Sequence, residues 1–415
     1  MVFRLFDDSA EYRNRLQTPF KPTKATLAEV RSVVPRHLFE KSTLKTLLYV
    51  TRDVMLALIV YKLGWKIGPL CESITLAGYP VYLGFLAKCA LWCLYWHFQG
   101  LILAGWWCLA HEAGHGSLSP HSWVNNVIGF TLHTFILVPY YAWRSTHHAH
   151  HKATMSVERD ENFVPRTRSD YGLPPAQVAH VSDYHEIFEE TPIYTLLRML
   201  FMQALGWQWY LATNIMGSPR YPPGTNHFNP SSALFKPHER SGIITSNVGL
   251  ATMSFLLYKW TSEVGLANFF AFYFVPYLLA NHWIVMLTYL HHSDPSIPHY
   301  RKGEWTFLRG AISTVDRPLL GWAGRFFLHN ISHDHVAHHL FSGIPFYNQP
   351  QVTEAIRSVL KDDYNYDSTN TFRALYRTFT QCCFIEDDGD VVFYKNRQGK
   401  AVRIVAKDEQ SDTLL

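Results

Sequence analysis

The chain has 415 residues, of which 48% are hydrophobic, 15% aromatic and only 17% charged, against a usual charged share of about 25%. Its net charge of +4 is carried without any basic stripe interleaved with aromatics, which argues against a nucleic-acid partner. Six cysteines sit in or near apolar blocks or as one adjacent pair, a distribution unlike the spaced framework of a disulfide-stapled secreted protein.

Residues 1–43 are polar, are interrupted by Pro19, Pro22 and Pro35, and hold no apolar run of the kind found in a cleaved signal peptide. Apolar blocks follow at 44–65, 86–110, 242–260 and 268–290, each near the roughly 20 residues a helix needs to cross the hydrocarbon core. The first block carries Arg52 and Asp53 near its centre, which is tolerable only if the two neutralise each other or face protein. Two further stretches differ. Residues 124–141 are short and bounded by Pro139, and residues 195–217 carry Arg198 among amphipathic aromatics; both read as interfacial or re-entrant.

Residues 1–43 hold eight Lys/Arg and 340–415 hold nine, whereas the connections 66–85 and 261–267 hold only Lys66 and none. Positive charge stays on the cytosolic side, so both termini are expected in the cytosol with the two hairpins pointing away. The expected fold is an all-α integral membrane protein with four transmembrane helices in two hairpins, plus interfacial helices. Its expected parts are a cytosolic N-terminal segment 1–43, a membrane domain 44–340, and a cytosolic C-terminal cap and tail 341–415.

Among 23 histidines, three groups have meaningful spacing. "HEAGHGS", 111–117, places His111 and His115 on one helical face with Glu112 between them, as in a zinc protease, or forms one part of a larger site. "HHAHH", 147–151, supplies His147, His150 and His151, and "HVAHH", 335–339, supplies His335, His338 and His339 in the same pattern. Positions i, i+3 and i+4 share a helical face, and imidazole suits zinc, copper, iron and nickel. Eight such histidines are twice what one four-coordinate zinc can use; they match two six-coordinate ions with room left for oxygen or water. The isolated His121, His133, His180, His185, His227 and His238 read as ordinary surface or core residues. If 124–141 is re-entrant and the last two spans form a hairpin, all three groups meet on the cytosolic face.

"HEAGHGSLSP", "WRSTHHAHHKAT", "TYLHHSDPSIPHY" and "HVAHHLFSGIPFYN" resemble the motifs of membrane fatty-acid desaturases, specifically the acyl-lipid Δ12/ω3 group of fungi and plants. "CFIEDDGDVVFYKNRQG" is similar to the C-terminus of the fungal members, and the resemblance spans roughly residues 40–400. It implies four membrane helices under a cytosolic cap that holds a di-iron site ligated almost wholly by histidine. Carried over by motif, the ligands are His111, His115, His147, His150, His151, His335, His338 and His339, with His292 in "LHHSD" as a further one in preference to His291. His148 occupies a variable interior position. Glu112, Asp294 and Asp334 are the carboxylates expected to orient ring N–H groups. The chain departs from the pattern at Ala113, where many relatives have cysteine, and at His333 and Asp334.

Breaking an unactivated C–H bond is beyond side-chain acids and bases. The resemblance implies two Fe ions, O2 as co-substrate, and electrons from NADH through cytochrome b5 and its reductase. No H-P-G-G haem motif is present, so cytochrome b5 is expected as a separate protein. The implied substrate is an oleoyl chain esterified to a phospholipid of the endoplasmic reticulum membrane, oxidised at Δ12 to linoleate. It would lie in a groove lined by apolar and aromatic residues near the third and fourth spans. ω3 (Δ15) desaturation, hydroxylation, epoxidation or acetylene formation on the same scaffold is the alternative, because a small shift of substrate changes the product. A membrane zinc metalloprotease using His111, His115 and Glu112 would leave both H-x-x-H-H groups unexplained.

Overall fold

The computed structural model describes residues 6–406; residues 1–5 and 407–415, with Arg4 and Lys407 of the terminal charge, lie outside the described residues. Four helices are long and apolar enough to cross a membrane: Thr43–Ile74, Val81–Gly114, Pro237–Val264 and Leu266–His292, here spans I to IV. Each contains one of the predicted apolar blocks and extends beyond it.

Span I starts at Ser42, whose side chain accepts the N–H of Lys45. Its central charges are doubly accounted for. Arg52 Nε donates to Asp53 Oδ1 at 2.7 Å, and Asp53 Oδ2 lies 2.7 Å from His329 Nε2. Arg52 also donates to the Phe326 carbonyl at 2.9 Å. The pair both neutralises itself and faces protein, with Asp53 only 4% exposed.

Span II has 34 residues, about 51 Å of helix against a hydrocarbon core of about 30 Å. Its first half turns Tyr82, Phe85, Leu86 and Leu94 outward, while every residue from Gln99 to Gly114 is buried. The span is longer than a crossing needs, and its buried end places His111 inside the protein. Span IV lies tightly against it: a Cβ on Gly100 would sit 2.6 Å from Leu279 Cβ, so only glycine permits this approach. Span IV follows span III after Gly265, whose φ of 86° suits glycine, and contains a π turn at Phe270–Phe274.

The two predicted non-spanning stretches are helices of different kinds. Ser122–Phe135 has 14 residues, about 21 Å, too short to cross. The chain turns through Leu137 (φ 57°) and Pro139 into the helix Tyr140–Ala153. The second helix runs from Pro192 to Thr213 and stops at Asn214 in the left-handed region, φ 53°, so residues 214–217 lie outside it. It buries Gln203, Trp207 and Leu211 and exposes Leu197, Leu200, Phe201 and Leu205, a one-sided pattern that suits an interface helix.

Beyond the spans, Val30, Val34 and Leu38 share one apolar core with Val336 and Leu340 of the helix His335–Leu340 and with Val352, Ile356 and Leu360 of the helix Gln349–Leu360. The one sheet among the described residues is a two-residue antiparallel ribbon, His299–Tyr300 with Val391–Val392. It ties the tail to the segment that follows span IV.

Candidate metal centre

Four helix segments converge on one point. His111 lies in the last turn of span II, and His115 caps its end. His147, His150 and His151 project from Tyr140–Ala153, His292 is the last residue of span IV, and His335, His338 and His339 occupy His335–Leu340. The ring nitrogens fall into two sets: His111, His115, His147, His151 and His338, and His150, His292 and His339, each set within 4.8 Å of one another. His335 joins the second set, its Nε2 lying 2.9 Å from His292 Nε2. The sets adjoin where the His151 and His339 rings stack at 4.0 Å.

The donor set fits metal ions. His147 Nε2 lies 2.8 Å from His111 Nε2 and 3.1 Å from His151 Nε2, so three ring nitrogens are aimed at one spot. His115, His150, His338 and His339 each bury an Nε2 that has no hydrogen-bond partner, a costly arrangement unless a cation fills it. Burial, reinforced by the neighbouring imidazoles, pushes His115, His147, His151, His335 and His339 well below the usual histidine range. Burial likewise lowers His338 to about 3, against a small opposing pull from Glu112. These rings are neutral at physiological pH, the form that ligates a metal.

Of the three predicted orienting carboxylates, only Glu112 touches a box histidine. Its Oε1 lies 3.1 Å from His111 Nδ1 and 3.3 Å from His338 Nδ1, the latter without hydrogen-bond alignment. Its Oε2 accepts from Ser117 Oγ at 2.8 Å. Fully buried and engaged through both oxygens, Glu112 is not disposed to activate a water as a protease base. Asp294 is turned away from the rings: its Oδ2 accepts from Arg317 Nη2 at 2.7 Å and Arg377 Nη2 at 3.0 Å. Asp334 accepts from Arg325 Nη1 at 2.8 Å. In this structure these two carboxylates contact guanidiniums and no box histidine.

The orienting role that sequence reasoning missed belongs to Asp160, whose Oδ1 lies 2.6 Å from His150 Nδ1. Its one signal was a carboxylate soon after the second box. His291 points away from the centre, its Nδ1 lying 2.5 Å from the Val315 carbonyl while its ring stacks on His335 at 4.5 Å. His148 packs on His115 at 5.4 Å with its Nε2 2.9 Å from the Gly114 carbonyl. Of the isolated histidines, His227 is buried beside the Leu211 carbonyl and His133 is buried among Trp107, Tyr140 and Trp143; the other four are exposed.

A cavity of about 600 Å³ ends on His111, His147, His150, His292 and His335. Val285, Leu287 and Tyr289 of span IV form one wall, and Met202, Trp207 and Tyr210 of the Pro192–Thr213 helix another. The predicted groove near the fourth span is present, but its second wall is this interfacial helix rather than span III. Such a slot accepts an apolar chain and holds one stretch of it against the histidine rings.

Residues 89–370 match the fatty acid desaturase family. The chain is 40% identical to a Delta(12) fatty acid desaturase of Mortierella isabellina over 376 residues, covering 89% of this chain and 90% of the relative. It is 34% identical to an oleate hydroxylase of Claviceps purpurea, covering 96% and 87%. It is 35% identical to an endoplasmic reticulum omega-6 fatty acid desaturase of Brassica juncea, covering 92% and 94%. With the family match spanning more than half its length and these identities extending over nearly all of it, this multi-span membrane protein belongs to the fatty acid desaturase family.

Proposed function

We propose that this chain introduces a cis double bond at Δ12 of an oleoyl chain carried by a membrane phospholipid, giving linoleate. The observation that carries the reading is an apolar cavity ending on five of nine converging histidines, in a chain 40% identical to a Delta(12) fatty acid desaturase. The overall reaction is –CH2–CH2– + O2 + two electrons + two protons to –CH=CH– + two waters.

His111, His115, His147, His151 and His338 would hold one iron, and His150, His292, His335 and His339 the other. The chemistry supplied at these rings when iron is bound is the O2-driven removal of hydrogen from an unactivated alkyl carbon. The chain's own residues do the rest. The walls formed by span IV and the Pro192–Thr213 helix align the acyl chain and exclude water from the reacting carbons. Asp160 and Glu112 hold His150 and His111 through Nδ1, in an orientation that would leave Nε2 to hold a metal.

Electrons would reach the centre from NADH through cytochrome b5 reductase and a separate cytochrome b5. The site is read as lying in the endoplasmic reticulum membrane, with the histidines and both termini on the cytosolic side; the Lys/Arg bias of the termini supports that orientation.

Hydroxylation of the same oleoyl chain is a second reading, favoured by the relative named as an oleate hydroxylase. The test is expression in a eukaryotic host that makes only monounsaturated lipids, with double bonds located by mass spectrometry, alongside the His338→Ala variant. Linoleate from the wild-type chain alone supports Δ12 desaturation. A hydroxylated product, or a double bond elsewhere, overturns it.

A further inference from the structure

We propose that Arg166 and Arg198 form the seat for the phosphate of a glycerophospholipid whose acyl chain slides sideways from the bilayer into the cavity. The access route lies between the Pro192–Thr213 and Thr371–Gln381 helices. The inference rests on the reading of the cavity as an acyl-chain site and adds to it where the head group is held.

The cavity reaches outward from the histidines to a rim of two chemical kinds. One side is apolar yet exposed: Leu197 at 56%, Phe201 and Trp209 at 48%, and Ile215 at 42%. Phe372 and Tyr376 are likewise exposed on the Thr371–Gln381 helix, whose Phe379 lines the cavity. Large apolar side chains grouped and exposed at a cavity rim mark contact with lipid or another apolar partner rather than with water. The opening therefore faces acyl chains, and a molecule using it already resides in the membrane.

The other side of the rim is cationic. Arg166 is exposed, stands 6.0 Å from the Tyr171 ring, and pairs with no carboxylate among the described residues. Arg198 also lines the cavity, its guanidinium 5.1 Å from the ring of Phe379 on the Thr371–Gln381 helix. Its carboxylate partner Glu190 is shared with Arg397 at 3.0 Å. Two guanidiniums thus share one acidic group. Asp170, on the same segment as Arg166, accepts the Thr167 N–H at 2.8 Å. Guanidinium forks match phosphate oxygens, and cationic side chains at the edge of the hydrocarbon are where a head group lies. A lipid with its chain in the slot and its phosphate on these two residues satisfies both sides of the rim at once.

The experiment uses the full iron-loaded chain in detergent micelles. Trp107, Trp143, Trp207 and Trp209 line the cavity, so a 9,10-dibromostearoyl phosphatidylcholine added at low mole fraction quenches their fluorescence on binding. The Arg166→Gln/Arg198→Gln variant is expected to raise the half-quenching lipid concentration about tenfold, and Arg166→Lys/Arg198→Lys to recover most of the loss. KM for oleoyl phosphatidylcholine should rise by a similar factor, with kcat and double-bond position unchanged. The single Arg166→Gln variant, at an exposed and unpaired side chain, should show part of the effect should the double variant fold poorly.

Unchanged quenching in the Gln variants overturns the proposal. An equal loss against the brominated diacylglycerol, which lacks the phosphate, also overturns it, because the arginines would then serve shape alone. A larger loss for oleoyl-CoA than for the phospholipid shows that the phosphate belongs to a soluble thioester and overturns the membrane route. Quenching needs no turnover, so arginine-dependent binding without linoleate would reject the proposed reaction while leaving the seat in place.

Discussion

His150 Nδ1 lies 2.6 Å from Asp160 Oδ1, and the other oxygen of that carboxylate accepts the Met155 N–H at 2.9 Å. The ring is thereby held with Nε2 toward His292 and His339. Asp160→Ala is expected to weaken metal binding about 10- to 100-fold, so that a chelator strips iron from the variant at a lower concentration than from the wild type. Asp160→Asn keeps an acceptor at the same place and should lose less. Unaltered chelator sensitivity in Asp160→Ala would refute the assignment.

His292 and His291 are neighbours with different duties. His292→Ala should lower iron from two per chain toward one and abolish product. His291→Ala should keep its iron but melt earlier, having lost the contact at the Val315 carbonyl and the stacking on His335. Iron analysis of the two purified variants decides; equal iron loss in both would mean that His291 also ligates.

Asp294 makes the opposite prediction to Asp160. It accepts from Arg317 and Arg377, and Arg377 also pairs with Asp367 and Asp8, so one buried cluster joins the end of span IV to both terminal segments. Asp294→Ala leaves two buried guanidiniums short of a partner, at a cost of about 3–5 kcal/mol. The yield of folded protein and its melting temperature should fall while iron per folded chain stays near two. Selective loss of iron from well-folded Asp294→Ala would restore a role at the metal.

Glu386 accepts from Arg168 Nε at 2.6 Å and Nη2 at 2.8 Å, anchoring the tail to the segment after the second box. Those hydrogen bonds, outweighing the opposing effect of burial and helped by Lys395, hold its carboxyl down at about 2 from the usual 4.5. A depressed carboxylate contributes stability that is fully present above its ordinary value and is lost as pH falls through its folded value. Glu386→Gln should therefore cost about 1 kcal/mol at pH 7, since solvent screens this partly exposed pair. The difference in melting temperature from wild type should narrow between pH 4.5 and pH 2. A gap that stays constant across that window would mean that the charge on Glu386 contributes nothing to stability.

Local pattern was enough for much of this protein. Runs of about 20 apolar residues can bury their backbone polar groups only as helices in lipid, so the four spans could be read from composition alone. Histidines at i, i+3 and i+4 share a helical face whatever surrounds them, which is why the eight box histidines and their convergence were legible.

Choices between neighbouring residues were not. His291 and His292 are consecutive on one helix, about 100° apart, and only the position of the returning segments with Val315 and His335 turns one inward. Asp160 and Asp294 each follow a histidine pair closely in sequence. Arg317 and Arg377, distant along the chain, draw Asp294 away, whereas no guanidinium pairs with Asp160 among the described residues. The Pro192–Thr213 helix likewise announced an interface by its mixed faces, but that it would form a wall of the cavity depended on span IV packing beside it. Spacing along the chain fixes which side chains share a face. Which face meets which partner depends on the docking of distant elements, and only the tertiary structure carries that.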